Sequence, residues 1–344
     1  MADSAAPLRV AVVGAGAFGR NHLRVYRELE DAGVAMKLAA VVDPDAGARD
    51  AAAAKYGIAG FATIEECLAA GGLDAASVCV PTVHHAACAA TLLAAGVDLL
   101  IEKPLAASLA EADELVRLTR ELGRVVQVGH LERFNPAVRA ARELLNRPMF
   151  FEVHRLSVFT PRSLDVDVVL DLMIHDLDIV MSLVGSPVRE VRAVGLPVLS
   201  RKVDIANVRL EFENGCIANF TASRVSTERV RKVRFFQPHQ YLSLDFARQD
   251  LLMIDVTAAA GMSPEQLAAI ANAAALGGHP SPGLSLRKVP VEPGEPLRLE
   301  IAAFLDAVRT RSEPEVTVED GRAALGLALE ITAAIASHAK YTGL

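Results

Sequence analysis

The chain has 344 residues, a net charge of -7 and an apolar fraction of 52%. This length exceeds what one hydrophobic core usually serves, so the sequence predicts two domains. The apolar fraction excludes a disordered chain, and the acidic charge argues against a nucleic-acid partner, which would need a basic face. The longest apolar stretch, residues 86–101, is broken by Gly96 and Asp98. Neither export nor membrane insertion is therefore predicted, and we expect a cytoplasmic protein.

Cysteine usage gives the same expectation. Cys67, Cys79, Cys88 and Cys216 form no C-x-x-C pair, and three of them fall in segments with the pattern of core helices or strands. We interpret them as reduced packing residues. No metal site is predicted.

Residues 8–134 alternate short β-branched runs with longer amphipathic runs rich in alanine, which is typical of strands joined by crossover helices. Continuous apolar strands of this kind favour a parallel sheet that is covered on both faces. The predicted strands are Arg9–Gly14, Leu38–Asp43, Ala75–Pro81, Asp98–Glu102 and Val125–Gly129.

After Met149 the pattern changes to longer alternating strands, which predict a mostly antiparallel sheet. Asn214-Gly215 indicates a two-residue hairpin turn, because both residues tolerate positive φ. A helix is predicted over Val166–Leu183, and a small helix with loops over residues 258–283. The predicted strands are Phe150–Phe159, Val191–Leu199, Asn207–Phe212, Ile217–Ser223 and Val233–Phe236.

Two further helices are predicted near the end of the chain, over Pro296–Val308 and Val318–Ala336. Thr317 and Asp320 have the spacing of a capping box at the start of the second helix. We expect both helices to return to the first domain. The predicted division is an NAD-binding domain over residues 1–130, a substrate and oligomerisation domain over 131–316, and a C-terminal helix over 317–344.

The pattern G-x-G-x-x-G occurs directly after the first predicted strand, as Gly14, Gly16 and Gly19. In this position the glycines permit a tight turn, close approach of a pyrophosphate and close helix–strand packing. The second strand ends at Asp43, 24 residues after Gly19, where a carboxylate accepts hydrogen bonds from ribose hydroxyls. A carboxylate there would repel a ribose 2′-phosphate, so NAD is predicted over NADP, and Arg20 is the one residue that could soften this preference.

Two other segments carry residues suited to chemistry. Lys103 follows the fourth predicted strand, at the edge of the sheet where a doubly wound fold binds its ligands. Taken alone, a lysine at a strand end is more often a solvated surface charge. Asp171 and His175 are one helical turn apart, which allows the carboxylate to orient the imidazole.

Several spaced motifs together resemble the glucose-fructose oxidoreductase, inositol dehydrogenase and rhizopine-catabolism (Gfo/Idh/MocA) family of sugar dehydrogenases. They are the loop Gly14–Gly19 with His22, Val80-Pro81-Thr82 with His85, Ala95-Gly96, Glu102-Lys103-Pro104 and Asp171 to His175. The resemblance implies an α/β fold, with a Rossmann domain followed by an α/β domain that has a large open antiparallel sheet. It also implies NAD or NADP as cofactor, and dimers or tetramers built through that sheet.

The same resemblance implies roles for single residues. His175 would be the general base, Lys103 would donate to the developing alkoxide, and Asp171 would fix the imidazole. The residues implied around the cofactor are Gly14, Gly16, Ala17, Phe18, Gly19, Asp43, Pro81, Thr82, His85, Glu102 and Lys103.

Residues 129–136, 170–178 and 223–232 resemble the branch of the family that oxidises the 3-hydroxyl of UDP-N-acetylglucosamine. This implies a 3-keto product that a partner aminotransferase aminates for lipid A. The predicted substrate contacts are Lys103, Arg133, Asn135, Arg162, Asp171, His175 and Arg224. Arg133, Arg162 and Arg224 are the candidates for a diphosphate, although each arginine alone is more often a surface ion pair.

Other functions remain open from the sequence. Within the family, an inositol or free-hexose dehydrogenase is the nearest alternative. An NAD-dependent glycosidase would use the same cofactor without net reduction of NAD. A regulator on the same fold that binds the cofactor without catalysis would lack the lysine or the histidine, and both are present here.

Overall fold

The computed structural model describes residues 6–160, 166–256, 261–269 and 285–343. These residues form two compact units. The first contains residues 1–134 and 295–326, and the second contains residues 135–294 and 327–344.

The first unit is built on a six-stranded parallel sheet, as predicted. Its strands are β1 (Leu8–Val13), β2 (Met36–Val42), β3 (Ala59–Phe61), β4 (Ala75–Val78), β5 (Asp98–Glu102) and β6 (Val126–Gly129). The spatial order is β3-β2-β1-β4-β5-β6. This is the Rossmann order, in which ligands bind where the strand order reverses.

The helices of this sheet are α1 (Ala17–Asp31), α2 (Ala46–Tyr56), α3 (Ile64–Ala69), α4 (His85–Ala94) and α5 (Leu109–Leu122), with 3-10 turns at Thr82–His84 and Leu131–Phe134. Asp45, Thr63 and Ser108 cap three of the helices with their side chains, which explains where those helices begin. Strand β3 was not predicted, because its three residues include no β-branched side chain.

The second unit is built on an eight-stranded sheet in the order β14-β13-β12-β11-β7-β10-β9-β8. Its elements are α6 (Pro136–Glu143), β7 (Phe150–Val158), a π-helical turn (Val169–Met173), α7 (Ile174–Val184), β8 (Val188–Leu196), β9 (Ile205–Phe212), β10 (Ile217–Ser226), β11 (Val230–Gln237), β12 (Gln240–Asp245), β13 (Asp250–Asp255) and β14 (Ser285–Val289). Only β10 and β7 pair in parallel, and the other pairs are antiparallel. The prediction of a mostly antiparallel sheet is confirmed.

The turn between β9 and β10 differs from the predicted two-residue hairpin. Gly215 has a φ of 83°, whereas Asn214 is not among the residues with positive φ. The amide of Gly215 donates to the carbonyl of Phe212, and the amide of Phe212 donates to the carbonyl of Cys216. The turn is therefore longer and needs one left-handed residue, because the Asn214 side chain accepts from the Cys216 amide instead.

Helix α8 includes residues 264–269. Two further helices follow β14. Helix α9 (Pro296–Thr310) packs into the core of the first unit, and α10 (Val318–Thr342) begins in that unit. The reciprocal capping box is confirmed, since Thr317 Oγ1 accepts from the Asp320 amide and Asp320 Oδ2 accepts from the Thr317 amide, both at 3.1 Å. Other parts of the predicted loop segment 258–283 lie outside the described residues.

The two units differ from the predicted domains in three places. The first boundary lies after residue 134 instead of 130, and the residues from 295 to 316 belong to the first unit instead of the second. The reason is packing, because Leu297, Ile301 and Phe304 of α9 lie in the same hydrophobic core as α1 and β1. Residues 327–344 belong to the second unit, although the sequence predicted that they return to the first.

Within the described ranges, no helix combines the length and the apolar character that crossing a membrane requires.

Candidate active site

The glycine loop connects β1 to α1 and has the geometry that a dinucleotide site needs. Gly14 has a φ of 98°, and a Cβ there would lie 2.7 Å from the Cys79 carbonyl oxygen. A Cβ on Gly19 would lie 1.8 Å from the Gly14 carbonyl oxygen, so only glycine allows the helix to start this close to the strand. A Cβ on Gly16 would meet nothing within 4 Å, because this residue borders open space. The three glycines thus have the separate roles that the motif predicts.

Asp43 follows β2 and is linked to the glycine loop. Its Oδ2 accepts from the Ala15 amide at 2.6 Å, and its Oδ1 accepts from the Asp45 amide at 2.8 Å. These two bonds hold a carboxylate beside the loop at a half-buried position. A ribose hydroxyl can donate to such a group, whereas a phosphate would be repelled by it.

A cavity of about 790 Å³ opens beside these residues. Its lining consists of Val13, Gly14, Gly16, Val42, Asp43, Pro44, Ala62, Thr63, Ile64, Glu65, Cys79, Val80, Pro81, His84 and Cys88. Volume and lining fit a dinucleotide: the surface is mostly apolar, the lining includes the carboxylates of Asp43 and Glu65, and Gly16 leaves a space that a Cβ would occupy. The amides at the start of α1 are suited to a pyrophosphate.

Four of the predicted cofactor residues, Gly14, Gly16, Asp43 and Pro81, line this cavity. The other seven, Ala17, Phe18, Gly19, Thr82, His85, Glu102 and Lys103, do not line it. His85 is buried, and its two ring nitrogens each lie 2.9 Å from a carbonyl oxygen, of Val80 and of Pro104. Burial lowers the pKa of this imidazole. His85 therefore braces the loop after β4 against the loop after β5.

The sequence did not predict the side of the cavity formed by Ala62, Thr63, Ile64 and Glu65. A signal for it was present. Thr63 Oγ1 accepts from the Glu66 amide at 3.2 Å, and Glu66 Oε2 accepts from the Ala62 amide at 2.9 Å. This T-x-x-E capping box marks the start of α3, the helix that follows β3.

The predicted catalytic residues come from both units. Lys103 lies at the carboxyl end of β5 in the first unit, and its peptide bond to Pro104 is cis. Asp171 lies in the π-helical turn and His175 in the first turn of α7, both in the second unit. A π-helical turn inside a helix is frequently found at functional sites. Lys103, Asp171 and His175 have partly accessible side chains.

Arg224 is held inside the second unit. It is 5% exposed, and its Nη2 donates to the Val166 carbonyl at 2.6 Å. Its guanidinium lies 3.8 Å from Asp204 Oδ1 and 4.0 Å from Asp171 Oδ2. Burial would raise the pKa of Asp204, but bonds from the Ser200 amide and hydroxyl and two further amides lower it to about 2. Arg224 therefore lies between Asp204, whose pKa is lowered, and Asp171, the predicted catalytic carboxylate.

The other predicted substrate residues have different surroundings. Arg133 is 6% exposed, with Nη2 3.6 Å from Asp320 Oδ1. Asn135 caps α6 by accepting from the Ala137 amide and donates to the Phe246 carbonyl, both at 3.1 Å. This geometry favours a structural role for Asn135. Arg162 lies outside the described residues.

An ion pair anchors α7, the helix that carries His175. Arg155 of β7 makes two hydrogen bonds of 2.7 Å to the carboxylate of Asp176, and both side chains are 3% exposed. The Arg155 guanidinium also lies over the Phe246 ring, 5.5 Å from its centroid. Asp178 is buried as well, so neither aspartate is a surface group of the helix.

A glycine loop, a fixed carboxylate and a cavity at the reversal point of a Rossmann sheet define a dinucleotide-binding protein. Comparison with known proteins agrees. Residues 8–130 match the oxidoreductase family with an NAD-binding Rossmann fold, and residues 120–237 match the GFO/IDH/MocA C-terminal domain. The chain belongs to the Gfo/Idh/MocA family of NAD-binding oxidoreductases.

Among its relatives, the UDP-N-acetylglucosamine 3-dehydrogenase of Acidithiobacillus ferrooxidans is 34% identical over 95% of this chain and 97% of that protein. A solved structure of that enzyme has a TM-score of 0.84, with 32% identity over 96% of this chain and 98% of that one. The inositol 2-dehydrogenase of Leifsonia xyli is 36% identical, over 54% of this chain and 56% of its own length.

Proposed function

We propose that the protein uses NAD to oxidise the 3-hydroxyl of UDP-N-acetylglucosamine to a 3-keto sugar. The extent of similarity carries this proposal. The match to the UDP-N-acetylglucosamine 3-dehydrogenase spans 95% of the chain, including the second unit, whereas the match to the Leifsonia xyli inositol 2-dehydrogenase spans 54%. Substrate preference depends on residues of the site more than on the fold, so a relative similar over both units is the better guide.

In this proposal three residues carry the chemistry. His175 removes the proton of the sugar hydroxyl as a general base. Lys103 donates to the oxygen as negative charge develops on it, and Asp171 orients the imidazole of His175. Arg224, between Asp204 and Asp171, limits the movement of the Asp171 carboxylate.

NAD, when bound, supplies the hydride acceptor. The loop at Gly14 and Gly16 and the carboxylate of Asp43 would hold its pyrophosphate and ribose. Arg133, Arg162 and Arg224 remain the proposed contacts of the substrate diphosphate. Because Arg133 and Arg224 are buried and paired with carboxylates, their Ala variants test this role only where the variant remains folded.

The experiment is a substrate comparison. Purified protein is incubated with NAD and, in separate reactions, UDP-N-acetylglucosamine, UDP-N-acetylglucosaminuronic acid and myo-inositol, while NADH absorbance is followed. We expect NADH formation only with UDP-N-acetylglucosamine. Reduction of the product with borodeuteride then places deuterium on the oxidised carbon, and NMR identifies its position. Deuterium at a carbon other than C3 contradicts the proposed position.

The same experiment separates the alternatives. NADH formation with myo-inositol alone indicates the inositol dehydrogenase. An NAD-dependent glycosidase releases free sugar without a steady gain of NADH. A cofactor-binding regulator shows NADH binding but no turnover with any of the three substrates. Lys103→Met is the matched control, because it removes the proposed donor without touching the cavity lining.

We also propose a homo-oligomer, a dimer or tetramer formed through the outer face of the eight-stranded sheet. An apolar row crosses six strands of this face, because register aligns each residue with the next. Its members are Ile217, Phe150, Phe236, Tyr241, Ile254 and Leu286. Phe236 and Leu286 are 38% and 56% exposed, and continuous apolar surface of this kind is typical of interfaces.

Light scattering of the wild type and of Phe236→Lys tests the oligomer. We expect a dimer or tetramer for the wild type and smaller particles for the variant, with Arg209→Lys on the polar part of the same face as the matched control. A monomeric wild type contradicts the proposal. The downstream aminotransferase and the cytoplasmic location stay predictions of the sequence.

A further inference from the structure

A buried chain of hydrogen bonds in the first unit has no part in the function proposed above. Tyr26 Oη lies 2.8 Å from Ser77 Oγ, and Ser77 Oγ lies 3.1 Å from His22 Nδ1. His22 Nε2 lies 2.9 Å from Glu102 Oε1. Tyr26, Ser77 and His22 have no exposed surface, and Glu102 is 8% exposed. These hydrogen bonds thus link α1 and β4 to Glu102, the residue before Lys103.

The hydrogens available on these groups determine which atom donates in each hydrogen bond. An ionised Glu102 only accepts, so the hydrogen of His22 is on Nε2. In a neutral imidazole Nδ1 then accepts from the Ser77 hydroxyl, and Ser77 Oγ accepts from the Tyr26 hydroxyl. A doubly protonated His22 would turn the Ser77 hydrogen toward Tyr26, whose own hydrogen would then have no acceptor among the described residues. The geometry therefore fits one negative charge, on Glu102.

A second carboxyl lies in the same interior. Glu300 of α9 has no exposed surface, and neither of its oxygens has a hydrogen-bond partner among the described residues. Burial and the charge of Glu102 raise the pKa of Glu300 well above its ordinary value. Two neighbouring buried carboxyls cannot both ionise, and only Glu102 has an imidazole N–H to stabilise its charge. The proton therefore belongs on Glu300.

We propose that His22 is a positioning residue with two effects. It keeps the single negative charge of the buried polar groups on Glu102, and it holds the end of β5, directly before Lys103. The inference rests on the proposed function in one respect, the donor role of Lys103. Glu102 is the residue next to this lysine in sequence, and a negative charge near an amine favours the protonated form, which is the form that donates. Among the described residues, the titratable groups that interact with Glu102 include His22 of α1, Cys79 after β4, His85 of α4 and Glu300 of α9.

Three variants of the full chain test the role of His22. His22→Leu removes both ring nitrogens, His22→Gln keeps an N–H for Glu102, and Glu300→Gln is the matched control because it replaces a group that is already neutral. We expect His22→Leu to lower kcat by about 10- to 100-fold, which is the usual loss when a residue that orients a site residue by a hydrogen bond is removed. Its alkaline limb of kcat should move to lower pH, because Lys103 loses the fixed neighbouring charge.

His22→Gln should restore most of the turnover and the wild-type pH profile, and Glu300→Gln should leave both unchanged. A folded His22→Leu enzyme with wild-type kcat and pH profile would overturn the proposal. So would a Glu300→Gln enzyme as impaired as His22→Leu, because Glu300 would then not be neutral.

Two spectra of the wild-type protein test the charge assignment without any substrate. In ¹⁵N-histidine-labelled protein, His22 should be the Nε2–H tautomer, because Glu102 Oε1 lies 2.9 Å from Nε2 and accepts its hydrogen. The infrared band of a protonated carboxyl should be present in the wild type and absent in Glu300→Gln. A doubly protonated His22, or a wild type without that band, overturns the assignment even if the enzyme is active. Lack of turnover with every sugar, together with the expected spectra, rejects the proposed function and leaves the charge assignment standing.

Discussion

The hydrogen-bonded cluster at His22 in the first unit and the ion pair at Arg155 in the second unit bury polar groups in different ways. In the first unit, the chain from Tyr26 to Glu102 passes through neutral hydroxyls and a neutral imidazole and ends on one carboxylate. In the second unit, Arg155 and Asp176 bury two full charges in a bidentate pair. Hydrogen bonds between neutral groups cost little to bury, whereas each buried charge depends on its partner. The Arg155–Asp176 pair should therefore be the more sensitive of the two to loss of a single partner.

The largest effect is expected at the residues proposed for the chemistry. We expect His175→Ala to lower kcat by about 100- to 10,000-fold, because that is the usual contribution of a general base. Lys103→Met should lower it comparably, because it removes the charge that faces the developing alkoxide. Steady-state kinetics with the identified substrate measures both, and NADH binding should stay near the wild-type value.

The double variant is the control. Its loss should be smaller than the product of the two single losses, because groups that act on one proton transfer function as a unit. Nearly full turnover in folded His175→Ala would show that another group is the base.

The next effect is on the free energy of unfolding, and two variants compare the buried ion pair with the buried hydrogen bonds at Ser77. Arg155→Met leaves Asp176 buried without its partner, and we expect a loss of about 3–5 kcal/mol in the free energy of unfolding. Ser77→Ala interrupts the chain of the first unit, and a loss of about 1–3 kcal/mol is expected. Urea unfolding of both variants at the same pH measures the difference.

Arg155→Met combined with Asp176→Leu sharpens the result. If the loss in the single variant comes from an unpaired charge, the double variant should recover most of the stability. Equal losses for Arg155→Met and Ser77→Ala would contradict the distinction between the ion pair and the hydrogen-bonded cluster.

A smaller effect depends on pH. Because the pKa of Glu300 is raised in the folded protein, the unfolded chain releases its proton first as the pH rises above the ordinary value of 4.5. Wild-type stability therefore falls with rising pH until Glu300 ionises in the folded state, at a limit of about 1.4 kcal/mol per pH unit. Glu300→Gln has no such proton, so its stability relative to wild type should increase from pH 5 upward at about that rate. A difference that is constant with pH would show that Glu300 is already ionised.

The smallest effect concerns Asp43, a carboxylate at the edge of the cofactor cavity. We expect wild-type protein to bind NAD more tightly than NADP, because the carboxylate repels a 2′-phosphate. Asp43→Ala should narrow this preference by about tenfold, or 1.4 kcal/mol. Calorimetry with both cofactors measures it, and a wild type that prefers NADP would reject the assignment of Asp43 to the ribose.

Much of the first unit could be predicted because its signals are local. The glycine loop, Asp43 and the apolar strands determine the cavity through residues near one another in sequence. The π-helical turn could not be predicted, because a single turn is too short to show its own spacing of apolar side chains. The cavity side at Thr63 was missed because β3 is too short for a strand pattern.

The buried carboxyl could not be predicted for a different reason. Glu300 lies in an amphipathic helix, where a glutamate is usually exposed to solvent. Its burial results from the packing of α9 against α1 and β1, which are more than 250 residues earlier in the chain. Likewise, Asn135 resembles a ligand-binding residue in sequence, and only the fold shows that its side chain caps α6 and contacts the Phe246 carbonyl.

The position of α9 also has a consequence for synthesis on the ribosome. Leu297, Ile301 and Phe304 complete a core whose first members, Val10 and Leu23, emerge almost 300 residues earlier. Domains usually fold in order as they leave the ribosome. The core of the first unit, however, lacks the side chains of α9 until nearly the whole chain has been made. The nascent Rossmann sheet therefore exposes apolar surface during most of translation, and a chain that stops before residue 295 is expected to be a substrate for chaperones and proteases.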